Sequence, residues 1–427
     1  MILIEEYHNM IENIEIRKIR QKFCQKKIDN LPRYINNILN SSDLKTRVKP
    51  GDKVGITVGS RGIPNIVLIL KEIIYLLKKF NVSPFILTAM GSHGGATSEG
   101  QLQILESYGI NERSIGVPIL SSMDTSKIGE KNKRISVYFS KEALKLDGII
   151  ALNRVKIHTD FHSNLVESGM SKILAIGLGK ERGANSIHSF GVYGLKILPK
   201  ILDLILKKAP IIQGIALLEN PYEQILEIVC CPPEDIVKTD SKLLKNCREI
   251  IPRLPVDEID VLIVQEIGKD ISGTGLDTNI IGRLYINGEE EIKIPNIKQL
   301  VAIDLTEKSH GNAIGIGLAD ITTRKLVNKI NYKSMYANAI TCTFLRRAKI
   351  PIIANTEREA IEIALRTCWM PNIDEIKLII IKNTLNLEYL YVSKAIWDKI
   401  KDSQKVEVCG DWRKISFNRT GQINERL

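Results

Sequence analysis

The stretch from Asp52 to Met90 constrains the fold more than any other part of the chain. VGITV (54–58) alternates and saturates with β-branched residues as a buried strand does. GSRGIPN carries the glycine and proline of a turn, and IVLILKEIIYLLKKF (66–80) repeats apolar residues at helical spacing. PFILTAM (84–90) then reads as a second strand. Strand, turn, helix and strand in that order require parallel strands joined by a crossover, and hence a doubly wound, mostly parallel α/β sheet. Further strand-like runs, ISVYF (135–139), GIIAL (148–152), IIQGIALLEN and QILEIV, alternate with helical ones, LKILPKILDLILKK and DSKLLKNCREIIP.

A chain of 427 residues exceeds one compact core and divides in two. The proline-bounded stretch Ile251–Pro255 is the best boundary. It leaves an α/β domain over 1–255 and a second, smaller α/β domain over 256–427, where VLIVQ (261–265), LVAIDL (300–305) and KLIIIKNT (377–384) continue the pattern. Ligands of such sheets bind at the carboxyl ends of the strands. Ser60-Arg61 and Ser92-His93 fall there, each just after a buried strand. Arg61 is a natural anion clamp, because a planar guanidinium meets carboxylate or phosphate at two points. His93 reads as a base or as a turn histidine with its ring in solvent. Glu99 follows it by six residues, with Thr97 or Ser98 a candidate cap of the next helix.

GIIAL runs directly into residues 153–190, which hold three of the six histidines, His158, His162 and His188, with Lys172 between them. Imidazole serves as base or metal ligand, and a shielded amine can form a covalent bond to a cofactor. Gly177-Leu178-Gly179-Lys180-Glu181-Arg182-Gly183 follows an apolar run, and a glycine turn opening a helix would cradle a phosphate. It misses the dinucleotide fingerprint by one position, and Asp203, the nearest acid, sits inside a helical pattern. Phosphate-loop, zincin and hydrolase-elbow motifs are absent from the sequence.

The net charge of +11 suits anionic small molecules as well as polyanions, but the lysines are scattered and no basic run interleaves with aromatics, which argues against nucleic acid. Seven scattered cysteines without a C-x-x-C pair indicate reduced thiols, and Cys230-Cys231 read as a strand end. Without a signal-peptide layout or an eighteen-residue apolar run, the expectation is a cytoplasmic protein with no membrane association.

His162, Lys172 and His188 are separated by 10 and 16 residues, with Ser168-Gly169 before the lysine and Gly177 five residues after it. This pattern resembles the nickel-pincer lactate racemase family, as do Arg61 after an early strand and His93 in its Gly-Ser-His loop. The resemblance implies an isomerase, a racemase or epimerase that inverts the C2 centre of a 2-hydroxy acid by hydride transfer, with the site in the interdomain cleft. It implies a nickel-pincer mononucleotide joined to Lys172, with Arg61, Gly177 and Gly179 binding cofactor and His188 ligating nickel. His93 and either His162 or His158 would be the two bases: spacing selects His162, and nearness to the strand end favours His158. Proteins that make and load the cofactor would be partners.

The second glycine-rich motif, IGKDISGTGLDTNIIGR (267–283), departs from that family: Gln265 and Lys269 are four apart where its members space a Gln–Lys pair by three. Lactate itself is therefore put in doubt, and Lys269 and Arg283 are the candidate substrate-binding residues. Two alternatives remain, an NAD-type dehydrogenase using the glycine run and a non-catalytic binder of small anions.

Overall fold

The computed structural model describes residues 11–132, 134–370 and 372–427. Its first strand, β1 (Glu15–Gln21), pairs antiparallel with residues Tyr389–Ser393, placing Ile16 opposite Ser393 and Ile19 opposite Leu390. The chain forms two compact units, Cys24–Ile251 and Met1–Phe23 with Pro252–Leu427. The division thus differs from a single cut at residue 255, because the β1 pairing ties the N-terminal segment to the later part of the chain.

In the unit Cys24–Ile251, a six-stranded sheet is built from β2 (Lys53–Val58), β3 (Ser83–Thr88), β4 (Ile119–Leu120), β7 (Gly148–Arg154), β8 (Ile211–Glu219) and β9 (Ile225–Cys231). Strands β5 (Thr125–Lys131) and β6 (Ile135–Ser140) form a separate antiparallel pair. The order is β4-β3-β2-β7-β8-β9, parallel throughout except for β9. From β2 the chain winds outward through β3 to β4, and from β7 outward through β8. Strand order therefore reverses between β2 and β7, and the carboxyl ends there flank the crevice where α/β sheets bind ligands.

Both faces are covered. Ile150 and Leu152 of β7 join the core under α1 (Leu31–Asn40), α2 (Ile66–Lys79) and α3 (Ser98–Ser107). Ile149 and Ala151 join the opposite core, under α4 (Lys180–His188), α5 (Leu198–Lys208) and α6 (Ile236–Ile250). That alternation is the two-residue period of a strand buried on both sides. Helix α2 shows the matching helical period, burying Ile66, Ile69, Leu70, Ile73, Ile74 and Leu77, and it ends on Lys78 and Lys79, which complement the negative end of its dipole.

The other unit holds a nine-stranded sheet. Its parallel part is β10 (Glu258–Ile267), β11 (Asn296–Leu305), β12 (Ile321–Thr323), β13 (Ile352–Ala354) and β14 (Leu378–Ile381). Its antiparallel part adds β1, β15 (Tyr389–Ser393), β16 (Val406–Val408) and β17 (Arg413–Lys414). Leu262 and Val264 face the core shared with α7 (Tyr332–Cys342), while Val261 and Ile263 face α8 (Glu357–Thr367). Among the described residues no helix is long and apolar enough to cross a membrane.

Candidate functional site

Three loops leave the carboxyl ends of β2, β3 and β7, and they carry Arg61, His93 and the pair His158 and His162. Each is fixed differently. Arg61 follows Ser60, whose carbonyl accepts a hydrogen bond from the Tyr108 hydroxyl at 2.7 Å. The Arg61 guanidinium is exposed and has no hydrogen-bond partner among the described residues.

In the β3 loop, the His93 Nδ1 lies 2.8 Å from the Met90 carbonyl. A carbonyl can only accept, so Nδ1 carries the proton and Nε2 is left as the basic nitrogen. Thr97 caps α3, accepting the Gly100 N–H at 3.0 Å, and Glu99 sits in that helix's first turn.

The loop after β7 is closed at its base by Ser168, whose hydroxyl accepts the Lys156 N–H at 2.7 Å and donates to the Lys156 carbonyl at 2.6 Å. Inside it, the Glu167 carboxylate has 0% side-chain exposure. It accepts the N–H groups of His158 and Ser163, both at 2.9 Å, and the Arg248 guanidinium at 2.6 Å. The two histidines are consequently not equivalent. His158 Nδ1 accepts the Asp160 N–H at 3.0 Å, so its lone pair is occupied. Desolvation, followed by the charge of Lys172, pushes its imidazolium down to about 3. His162 turns Nδ1 toward Glu167 at 3.7 Å, and its buried Nε2 has no hydrogen-bond partner.

Lys172 ends a short helical turn, Gly169–Lys172, held from two sides. Asn153 at the end of β7 donates to the Gly169 carbonyl at 2.8 Å, and the buried Asp240 of α6 accepts the Met170 and Ser171 N–H groups at 3.1 and 2.8 Å. Gly169 has φ +85°, and a Cβ there would meet Asp240 Oδ1 at 2.3 Å, so no other residue admits this cap. The Lys172 amine has only a long contact, 3.5 Å, to the Glu167 carbonyl. Burial pushes it down to about 8, with Asp160 and Glu167 opposing and Arg61 reinforcing.

His188 ends α4 with its ring open to solvent; desolvation, then Lys172 and His93, push its pKa downward. Through these couplings Arg61, His93, His158, Asp160, Lys172 and His188 form one electrostatically connected set within a single unit. Asp160 and Glu167 were passed over in the sequence, where their one signal was to be acids within the stretch that holds the histidines. Arg248, more than eighty residues away, carried no local signal.

Two further groups of expected site residues have partners of their own within the fold. Gly177 and Gly179 are buried and do not form an open phosphate turn. Ile173–Gly177 is a π-helical turn, with the Leu178 N–H donating to the Ile173 carbonyl at 2.9 Å. A Cβ on Gly177 would lie 2.5 Å from the Ala89 carbonyl, and one on Gly179 2.7 Å from that of Ala175. Both glycines serve close backbone approach. The π turn itself is a feature that recurs at functional sites.

Arg283 is likewise committed to scaffold. It is 8% exposed, donates to the Leu318 and Ile297 carbonyls at 2.8 and 2.9 Å, and pairs with Asp320 at 2.7 Å. Lys269 donates to the Gly273 carbonyl at 2.7 Å and to Asn338 at 3.0 Å. Both belong to the other unit.

A separate groove of about 760 Å³, lined by residues including Lys26, Lys27, Arg33 and Tyr34, contains none of these groups. All seven cysteines are free; burial pushes the thiols of Cys230 and Cys231 up to about 12 and 11, which disfavours metal-binding thiolates.

No family model matches the chain, and no curated protein matches it. Solved structures do. A protein from Thermotoga maritima superposes with a TM-score of 0.49 at 14% identity, covering 65% of this chain and 71% of its own. The lactate racemase apoprotein from Thermoanaerobacterium thermosaccharolyticum superposes with a TM-score of 0.50 at 15% identity, over 86% of this chain and 98% of that one. The chain is therefore a two-unit α/β protein with the fold of a lactate racemase apoprotein.

Proposed function

We propose that this chain is an isomerase that inverts the C2 centre of a small anionic 2-hydroxy acid, using a nickel-pincer nucleotide joined to Lys172. The observation that carries the proposal is the placement of Arg61, His93 and His162 on the loops after β2, β3 and β7, with the buried Lys172 amine and His188, at the end of α4, near enough to act on one another's charge.

The residues suit that group. A Lys172 amine pushed down to about 8 is about one-tenth neutral at pH 7, far more than an ordinary lysine, as covalent attachment requires, and its hydrogen bond among the described residues is long. The imidazole of His188 is a donor type that suits Ni(II), and His188 would be the residue to hold the nickel. When bound, the pincer nucleotide supplies a hydride acceptor for C2.

This chain's own residues supply the rest. Inversion needs a proton carrier for each enantiomer's hydroxyl. His93 Nε2 is one, oriented by the Met90 carbonyl. His162 Nε2 is the other, because His158 has its lone pair tied to the Asp160 amide. Arg61, an exposed guanidinium after β2, is the proposed anion clamp on the cofactor. The burial of Gly177 and Gly179 favours this reading over a pyrophosphate-binding dehydrogenase. Cofactor-making and loading proteins are the proposed partners.

Intact mass and metal analysis of protein produced alongside a pincer-synthesis pathway test the class. A covalent mass increase lost in Lys172→Ala, with about one nickel per chain, is the expected result. Turnover of a 2-hydroxy acid by the loaded chain separates an enzyme from a non-catalytic anion binder. Retention of the cofactor mass in Lys172→Ala refutes the attachment.

A further inference from the structure

Lys180 takes no part in the chemistry above, yet it is an unusual residue. It is 1% exposed, with its amine inside the fold. It opens α4 with φ +53°, a conformation that non-glycine side chains rarely adopt. Its three oxygen acceptors are all uncharged: the Thr88 carbonyl at 2.5 Å, the Thr88 hydroxyl at 2.8 Å and the Gln101 amide oxygen at 3.3 Å. Burying an amine without a carboxylate partner is costly, and an apolar side chain would fill the same space without that cost. Two separate costs meet at one residue, which directs attention to what its bonds hold.

They hold the loop that carries His93. Thr88 is the last residue of β3, and Gln101 lies in the opening turn of α3, so the amine bridges the two ends of residues 89–97. From inside that loop, the fully buried Gln101 amide donates to the carbonyls of Gly91 at 3.0 Å and His93 at 3.3 Å. The Gly91 N–H donates in turn to the Gly177 carbonyl at 3.1 Å, on the segment that follows Lys172. A Cβ on Gly177 would break that approach. The His93 backbone is thus gripped from behind at its carbonyl, its ring is turned by Met90, and the whole loop is pinned to the segment bearing Lys172.

We infer that Lys180 and Gln101 are positioning residues: together they clamp the His93 loop to the Lys172 segment and set where the His93 ring stands relative to the Lys172 amine. The functional half of this inference rests on the proposed role of His93; the clamp itself does not.

The test uses the full-length chain, as apoprotein and after cofactor loading, in Lys180→Met and Gln101→Leu. In the apoprotein, amide exchange of Gly91, His93 and Ala96 should accelerate by about tenfold or more, while β2 and β7 keep their wild-type protection. In the loaded enzyme, kcat should fall by about 10²-fold with KM little changed, as loss of alignment at one catalytic group requires. Acceleration spread over the strands as well would mean general destabilisation and would overturn the clamp. So would wild-type exchange over 91–97 in both variants. Faster loop exchange with unchanged kcat would overturn its link to catalysis. If Lys180→Met does not fold, Gln101→Leu and Thr88→Val, which removes a single acceptor, answer the same question. A loaded wild type that turns over no hydroxy acid defeats the functional proposal alone, because the exchange measurement still decides the clamp.

Discussion

Replacing Glu167 should be among the most damaging single changes in the unit Cys24–Ile251, and more damaging than replacing its partner. The carboxylate has 0% exposure and satisfies three donors, the His158 and Ser163 amides and the Arg248 guanidinium. Glu167→Ala strands all three. The Arg248 guanidinium left behind is 32% exposed and rehydrates, so losing that pair costs about 1–2 kcal/mol. Each orphaned amide adds up to about 1–3 kcal/mol, less whatever water can enter. A loss of about 4–6 kcal/mol is expected, a large share of a total that is commonly about 5–15 kcal/mol.

Arg248→Ala should cost less, about 2 kcal/mol, because its side chain is 32% exposed and the carboxylate keeps both amides. Urea unfolding of both single variants and the double variant gives the ranking and the coupling energy. Equal losses in the two single variants, or less than about 1 kcal/mol for Glu167→Ala, would refute the view that this carboxylate organises the loop.

Other outcomes are equally specific. Lys172→Met should stabilise the apoprotein by about 3 kcal/mol at pH 7: the folded pKa is depressed to about 8, so the unfolded chain binds the extra proton between there and the ordinary lysine value of about 10.5, wild-type stability rises with pH across that window, and the advantage disappears above it. Urea midpoints measured at pH 7 and pH 10.5 check both sign and window. In the loaded enzyme His162→Ala should lower kcat by about 10²-fold or more, with His158→Ala far milder. Arg283→Ala should destabilise by about 3 kcal/mol while KM stays near wild type, since its donors serve Ile297, Leu318 and Asp320. A tenfold rise in KM in a fully folded Arg283→Ala protein would return that residue to the substrate.

The α/β fold class was legible because its signals are local. Residues 54–90 print strand and helix periods directly, and turn chemistry between them leaves few topologies. Strand β1 was not legible: EIRKIRQ has only two apolar residues, and its pairing partners lie some 370 residues away. The glycine run misled for a related reason. Glycine before a helix reads alike whether the backbone must approach a phosphate or another carbonyl, and only the Ala89 contact distinguishes them. At Arg283 and Lys269, polar residues in a glycine-rich loop suggest ligand binding, but the groups that engage them are backbone carbonyls, Asp320 and Asn338, which no spacing reveals. The distinction between His158 and His162 lies in one hydrogen bond from Asp160, two residues from His158 yet invisible without the turn that delivers it.

The pairing of β1 has a consequence for how the protein is made. Residues 15–21 are synthesised some 370 residues before the strands that flank them, β15 and β16. The unit Cys24–Ile251 is continuous in sequence and can fold in that interval; the nine-stranded sheet cannot close until β15 and β16 have followed. A fragment beginning at Pro252 would present β15 and β16 with bare edges, a template for pairing with another chain. Attempts to express the second unit alone should therefore yield aggregate, unless the segment through Phe23 is supplied, in trans or joined by a linker.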